Sequence, residues 1–340
     1  MVDADDVARA AATLAGVARR TPVLSSAALD AEAGARVNLK AESLQHTGSF
    51  KFRGAANAVA SLTPAERRAG VVTYSSGNHA QALARAAARL GTSAVIVMPH
   101  DAPTGKVAAT RAAGGRIVGY DRYDEDRAAI AAAIAEREGR ALVPPFDHPA
   151  VIAGQGTVAS ELCEEVGPLD VLVVCVGGGG LAAGCAIAAH AVSPATRIVG
   201  VEPTAGDDVR RSLAAGHRVS IPVPATIADG QQVTSPGELT FPLLQAHRCE
   251  IVTVSDDEIV AAMAFAARDL KLILEPSGAS ALAALLAGAV DVAGARVGVT
   301  LSGGNVDLDR FTALLADVAT AGPDGAPGEA GSDEAPDLPV

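Results

Sequence analysis

Lys51, inside Ser49-Phe50-Lys51-Phe52-Arg53-Gly54, is the residue in this chain best placed to act as a reactive amine. The sequence uses four lysines against twenty-three arginines, and this lysine stands between two of its six phenylalanines. A guanidinium stays protonated in proteins and cannot condense with a carbonyl. A lysine amine can, once apolar or cationic surroundings lower its pKa. Lys51 is therefore a candidate Schiff-base residue, although a lysine stem running past two core phenylalanines would look the same in sequence.

Three turns could supply partners for such an amine. Gly177-Gly178-Gly179-Gly180 separates the apolar run Val171–Val176 from the run starting at Leu181. Glycines let main-chain N–H groups curl inward as an anion nest, and a following helix adds its positive end, which suits a phosphate. No Lys-Ser/Thr follows and the GxGxxG spacing is absent, which excludes the nucleoside-triphosphate and dinucleotide loops. A tight strand-to-helix turn is the other reading. Ser75-Ser76-Gly77-Asn78-His79 offers hydroxyls, an amide and free helix N–H groups, suited to a carboxylate; an ordinary serine N-cap would look alike. In Ser302-Gly303-Gly304-Asn305, Ser302 could offer a neutral hydroxyl to a ring nitrogen, or simply end a strand.

Glu202 and Asp208, with Asp207 between, could hold a hard divalent cation with a backbone carbonyl and waters, or form a solvated acidic loop. The histidines other than His79 show no HExxH or comparable pairing. The four cysteines show no CxxC and read as buried free thiols.

These turns need a frame. Strands are expected at 37–42, 71–74, 94–98, 116–119 and 142–143, then at 171–176, 197–201, 250–254 and 297–301. Helices are expected at 4–19, 54–62, 80–90, 104–113, 123–138, 152–166, 181–191 and from the Ser255 capping box to about 270. A second capping box, Thr63-Pro64-Ala65-Glu66, starts a further helix, and residues 217–240 read as irregular. Alternation of this kind builds parallel sheets flanked by helices, with ligands beyond the C-terminal strand ends. Pro144-Pro145 marks a crossing between lobes. We expect a large domain of residues 1–67 and 145–320, a small domain of 68–144, and a disordered acidic tail at 321–340.

Composition agrees with a compact enzyme: 49% hydrophobic residues, 35 glycines and no tryptophan in 340 residues. The net charge is −12, and no basic cluster interrupts it, which argues against nucleic acid and anionic membranes as partners. The run 171–189 is long enough to span a bilayer, but the glycine tetrad cuts it into strand, turn and helix. The acidic N-terminus is unlike a secretory signal, and with the free cysteines it points to the cytoplasm.

Eight collinear segments carry a family resemblance: SFKFRGA (49–55), SSGNHAQA (75–82), PPFDHPAVIAGQGT (144–157), VGGGGLAAG (176–184), EPTAGDD (202–208), TIADG (226–230), LEPSGA (274–279) and LSGGNVDL (301–308). Together they resemble the fold-type II pyridoxal-phosphate enzymes, in the branch of serine/threonine dehydratases and serine racemases. The resemblance implies a two-lobed α/β fold of the tryptophan synthase β type, each lobe an open, mostly parallel sheet flanked by helices. It implies pyridoxal 5'-phosphate on Lys51, Phe50 packed on its ring, Asn78 bonded to its ring oxygen, Gly177, Gly178, Gly179 and Gly180 around its phosphate, and Ser302 facing its ring nitrogen. Ser75, Ser76, Asn78 and His79 would receive the carboxylate of a small amino acid. Glu202, the Gly206 carbonyl and Asp208 would hold Mg2+, Ca2+ or Mn2+, and a homodimer is implied.

The implied reaction is α,β-elimination of L-threonine, L-serine or a related 3-hydroxy amino acid to a 2-oxo acid and ammonia, with Lys51 as base. Ser76 adds an alternative. Racemases and some hydroxyaspartate enzymes of the branch carry Ser-Ser-Gly-Asn-His here, and a hydroxyl opposite Lys51 could reprotonate Cα. PPFDHP resembles the threonine dehydratases, so dehydratase is favoured over serine racemase or hydroxyaspartate dehydratase/racemase. A non-catalytic phosphate-ligand sensor would be expected to lack Lys51 or the glycine tetrad; both are present.

Overall fold

The computed structural model describes residues 1–320; the expected tail at 321–340 lies outside the described residues. Ten strands follow in chain order: β1 (Val23–Leu24), β2 (Arg36–Ala41), β3 (Val71–Tyr74), β4 (Ala94–Pro99), β5 (Gly115–Tyr120), β6 (Ala141–Leu142), β7 (Val171–Cys175), β8 (Arg197–Pro203), β9 (Glu250–Val254) and β10 (Arg296–Leu301). They form two sheets, ordered β1-β2-β10-β7-β8-β9 and β5-β4-β3-β6. Every pairing is parallel except β1 with β2. Helices cover both faces of a parallel sheet, so its central strands are mostly apolar, and all five residues of β7 are buried.

The alternation places most elements where they are expected, and the differences have local causes. The first helix runs Ala4–Leu14 rather than to 19, because Gly16 adopts a left-handed φ of 71°. The helix expected from 123 begins at Arg127, where the Asp126 side chain caps the main-chain N–H groups of Ala128 and Ala129. Short helices Ala27–Ala33, Asp208–Ala215 and Thr240–Ala246 stand where no helix is expected, and Leu308–Thr320 follows the last strand. None of the described helices is long and apolar enough to cross a membrane; the run 171–189 is β7, a glycine turn and a helix.

Helix Lys51–Ala60 joins the two sheets. Its Phe52, Ala55, Ala56 and Val59 pack in one cluster with Ala80, Leu83, Ile96 and Met98 from the four-stranded side. Phe50, one residue before it, packs instead with Ile152, Val174 and Leu181 from the six-stranded side. Apolar contact therefore crosses between the lobes at the helix that begins with Lys51.

A buried set of charges fixes this helix. Arg53 is fully buried; its Nε and Nη2 donate to Glu42 at 2.8 Å each, and its Nη1 and Nη2 donate to Glu161 at 2.7 and 2.8 Å. Lys40, also fully buried, donates to Glu161 and to the Thr21 carbonyl at 2.7 Å each. Two cations and two carboxylates balance. Burial pulls the Arg53 pKa down, but the two carboxylates outweigh it and hold Arg53 charged. Removing one partner leaves buried charge uncompensated. We expect Arg53→Met to destabilise the protein by roughly 3–5 kcal/mol, read from urea unfolding curves; a loss below about 1 kcal/mol would mean the network behaves like a surface pair.

Candidate active site

The C-terminal ends of β3, β7 and β10 and the start of helix Lys51–Ala60 open into one cleft of about 500 Å³ between the lobes. It is lined by Phe50, Lys51, Ser75 to His79, Cys175, Gly177 to Leu181, Glu275 and Ser302, among others. Of the expected residues, all those assigned to the cofactor and to the carboxylate converge here. Glu202 and Asp208 do not line it.

Lys51 is half-buried, with its amine donating to the Pro145 carbonyl at 2.6 Å and lying 5.2 Å from the centre of the Phe50 ring. Burial lowers its pKa to about 8, against smaller opposing effects of Cys175 and Glu275. Its neutral form is therefore abundant at mildly alkaline pH. Glu275 is buried beside it and pushed up to about 8, mainly by burial and then by Asp229.

Gly177 to Gly180 form a cradle that side chains would fill. A Cβ on Gly178 would lie 2.4 Å from the Phe146 ring, and one on Gly180 would lie 2.9 Å from Gln155 Oε1. Gly179 has φ of 91° and caps the helix Gly180–Val192. From Gly177 to Ala182 the main-chain N–H groups have no acceptor among the described residues. A row of free N–H groups at the start of a long helix is an anion site.

The second cradle is the turn 75–79. Its Ser75 Oγ accepts from Gly77 N–H at 3.2 Å, and helix Asn78–Arg89 begins there. The His79 ring cannot serve an anion. Its Nε2 lies 3.0 Å from the Val143 carbonyl, which only accepts, so Nε2 carries the proton. Burial and then Lys51 drive its pKa down to about 3, so the ring is neutral and its buried Nδ1 has no proton to offer. Only its main-chain N–H, in the first turn of the helix, remains as a donor. Ser302 Oγ accepts from Cys175 Sγ at 3.2 Å and lies 3.4 Å from the Ser277 carbonyl, leaving it a weakly engaged, neutral hydroxyl in the cleft.

Sequence reasoning missed several residues of the rim. Lys106, one of the four lysines, pairs with Asp229 across the lobes. Arg122 pairs with Asp101. Arg127 lies 5.7 Å from the centre of the Tyr74 ring and has no carboxylate partner among the described residues. The rarity of lysine could have flagged Lys106; nothing local flags Arg127.

The acidic stretch at 202–208 is not a solvated loop. Glu202 is fully buried, and its carboxylate oxygens accept from the main-chain N–H groups of Val209 and Arg210 at 3.0 and 2.9 Å. Asp208 is the first residue of a helix, and its buried Oδ2 has no partner among the described residues. Burial raises the Glu202 carboxyl to about 8, with Asp208 adding to the shift, and burial raises Asp208 to about 7. Among the described residues no group of three or more His, Cys, Asp and Glu side chains gathers as a metal site.

A partly deprotonated amine sharing a cleft with a main-chain anion nest is the equipment of an enzyme that works through a phosphorylated aldehyde. A family model described as pyridoxal-phosphate dependent enzyme matches residues 14–303, and the chain belongs to that family. It is 52% identical over 310 residues to an L-threo-3-hydroxyaspartate ammonia-lyase of Pseudomonas, covering 91% of this chain and 97% of that one. It is 49% identical to a serine racemase of Schizosaccharomyces pombe, covering 92% of this chain and 96% of that one. The structure of maize serine racemase superposes with a TM-score of 0.88 at 38% identity, over 94% of this chain and 98% of that one.

The residues present fit pyridoxal phosphate, because the cleft holds an amine of lowered pKa and a glycine cradle with free N–H groups. The lowered Lys51 pKa sets a pH dependence. As pH rises toward 8 the neutral amine grows about tenfold per unit, and above 8 it saturates. We expect the rate at which cofactor-free protein gains the absorption band of lysine-linked pyridoxal phosphate to follow that curve, and Lys51→Ala to gain no band. A rate still climbing at pH 10 would assign Lys51 an ordinary amine.

Proposed function

We propose that the chain is a pyridoxal-phosphate-dependent dehydratase, an ammonia-lyase that turns a 3-hydroxy amino acid into a 2-oxo acid and ammonia. The observation that carries this reading is the meeting of the Lys51 amine with two anion cradles in one cleft. Bound pyridoxal phosphate supplies an electron sink for negative charge at the substrate Cα. Lys51, Phe50, Asn78, Gly177 to Gly180 and Ser302 are the residues that would hold it. Ser75, Ser76 and the main-chain N–H groups of Asn78 and His79 hold the substrate carboxylate. Displaced by the substrate amine, Lys51 Nζ in its neutral form takes the Cα proton and returns it to the departing β-hydroxyl, which leaves as water. The released enamine takes up water to give the 2-oxo acid and ammonia.

The rim favours a substrate with a second negative charge. Arg127 is a cation at the first position of a helix, where the helix dipole opposes it, and it has no carboxylate partner among the described residues. A β-carboxylate would supply one, so L-threo-3-hydroxyaspartate joins L-serine and L-threonine as a candidate; two relatives are named for acting on it. Racemisation is the second reading. Ser76 lines the cleft with Lys51, and a hydroxyl able to return a proton to Cα would invert it.

L-serine, L-threonine and 3-hydroxyaspartate, each assayed for 2-oxo acid and D-enantiomer, decide between them. We expect 2-oxo acid to dominate. We also expect Arg127→Ala to raise KM for 3-hydroxyaspartate roughly tenfold while sparing serine. D-serine forming faster than pyruvate, with Ser76→Ala abolishing it, would establish the racemase.

A divalent cation on Glu202, Asp208 and the Gly206 carbonyl would explain a buried Asp208 oxygen without a partner. On this reading a chelator lowers the melting temperature, and Mg2+, Ca2+ or Mn2+ restores it. An unchanged melting curve and unchanged activity would remove the cation.

A further inference from the structure

A chain of side-chain amides crosses between the lobes at the cleft. Asn305, after β10, donates through Nδ2 to the Thr47 carbonyl at 2.7 Å and to Asn78 Oδ1 at 2.8 Å. Asn78, at the start of a helix in the four-stranded lobe, donates in turn through Nδ2 to Glu275 Oε1 at 2.5 Å. Asn78 and Glu275 both line the cleft.

The direction of this chain is fixed at one end. A main-chain carbonyl only accepts, so the Asn305 amide must turn its nitrogen toward Thr47. That nitrogen has two hydrogens; one serves Thr47, and the other reaches Asn78. Asn78 must then answer with its oxygen, which turns its own nitrogen toward Glu275 and the cleft. One Asn78 hydrogen goes to Glu275, and the other is left to face a ligand.

The turn that supplies the carbonyl is held in an unusual shape. Thr47 has φ of 59°, a left-handed conformation that costs a β-branched residue free energy, and Gly48 follows at 71°. The turn is tied to the strand end by Gly304 N–H to the Gly48 carbonyl at 2.9 Å and by Phe50 N–H to the Ser302 carbonyl at 3.0 Å. A Cβ on Gly48 would fall 2.3 Å from Asn305 Oδ1.

We propose that Asn305 is a positioning residue, which passes the fixed polarity of the Thr47 carbonyl across the cleft so that Asn78 presents an N–H, never its C=O, to the cofactor's ring oxygen. This rests on the reading above that pyridoxal phosphate is held at Lys51 and Asn78. The donor stabilises negative charge on that oxygen. Losing it weakens the cofactor and makes the oxygen easier to protonate.

The test uses the holoenzyme and its cofactor-free form retitrated with pyridoxal phosphate. Two quantities are read by absorbance: the dissociation constant, and the pH midpoint of the bound chromophore. Asn305→Asp keeps the shape but offers Asn78 only acceptors, so the Asn78 amide turns over. Gly48→Ala adds no charge and displaces Asn305 by contact. We expect both to weaken the cofactor about tenfold and to move the midpoint to higher pH. Gly34→Ala is the control: φ there is 60° and nothing lies within 4 Å, so it carries the backbone strain alone and should change neither quantity. If Asn305→Asp fails to fold, judged by its melting curve, Gly48→Ala decides. Wild-type constants and midpoints in both variants, or the same shift in Gly34→Ala, would overturn the proposal while a coloured wild type keeps the enzyme reading. A wild type that gains no band with pyridoxal phosphate would overturn both.

Discussion

The buried pairing of Arg53 and Lys40 with Glu42 and Glu161 is the constraint on which the site depends. Helix Lys51–Ala60 has no side-chain cap at its start, so capping does not set where Lys51 sits. Arg53, two residues on, does. Its guanidinium reaches a carboxylate at the end of β2 and another on helix Pro149–Val166, and any shift of the helix would strand four charges away from water. Phe50 and Phe52 then direct the two ends of the segment into different apolar clusters, and the amine between them faces the cleft.

The chemistry of the cleft is built largely from main chain. One helix start offers unpaired N–H groups beside the glycine tetrad, and another offers them after Gly77. Such donors are fixed by the fold and need no side-chain rotamer to be frozen when an anion arrives. Side chains are kept for tasks the backbone cannot do: the Lys51 amine, the Ser302 hydroxyl, and the Asn78 amide with its defined direction.

Much of this was legible in the sequence, for physical reasons. Parallel strands buried on both faces leave apolar runs, which is why β7, β8 and β10 stand out, and glycine tetrads and serine-rich turns after such runs mark strand ends. The short helices were hidden. Ala27–Ala33 and Thr240–Ala246 span seven residues each, too few for a helical period to register. Partnerships across the chain were hidden too. Nothing near Asn305 in sequence announces Asn78, and nothing near His79 announces the Val143 carbonyl that fixes its tautomer. Glu202 and Asp208 were visible as acids, but their burial was not, since burial is a property of the packed molecule.

The glycine tetrad has a consequence for how the site feels its solvent. A guest anion there meets dipoles, and no lysine or arginine stands among the residues from Cys175 to Leu181. Recognition by dipoles inside a walled cradle exchanges few counterions with the bulk, unlike a cluster of exposed cations whose grip fades within a Debye length of about 8–10 Å. Hold on a phosphate at Gly177 to Gly180 should thus be nearly indifferent to ionic strength. The charged rim, with Lys106 against Asp229 and Arg122 against Asp101, should carry most of the salt dependence of entry. Retention and access would then answer to different properties of the medium, in two regions of one cleft.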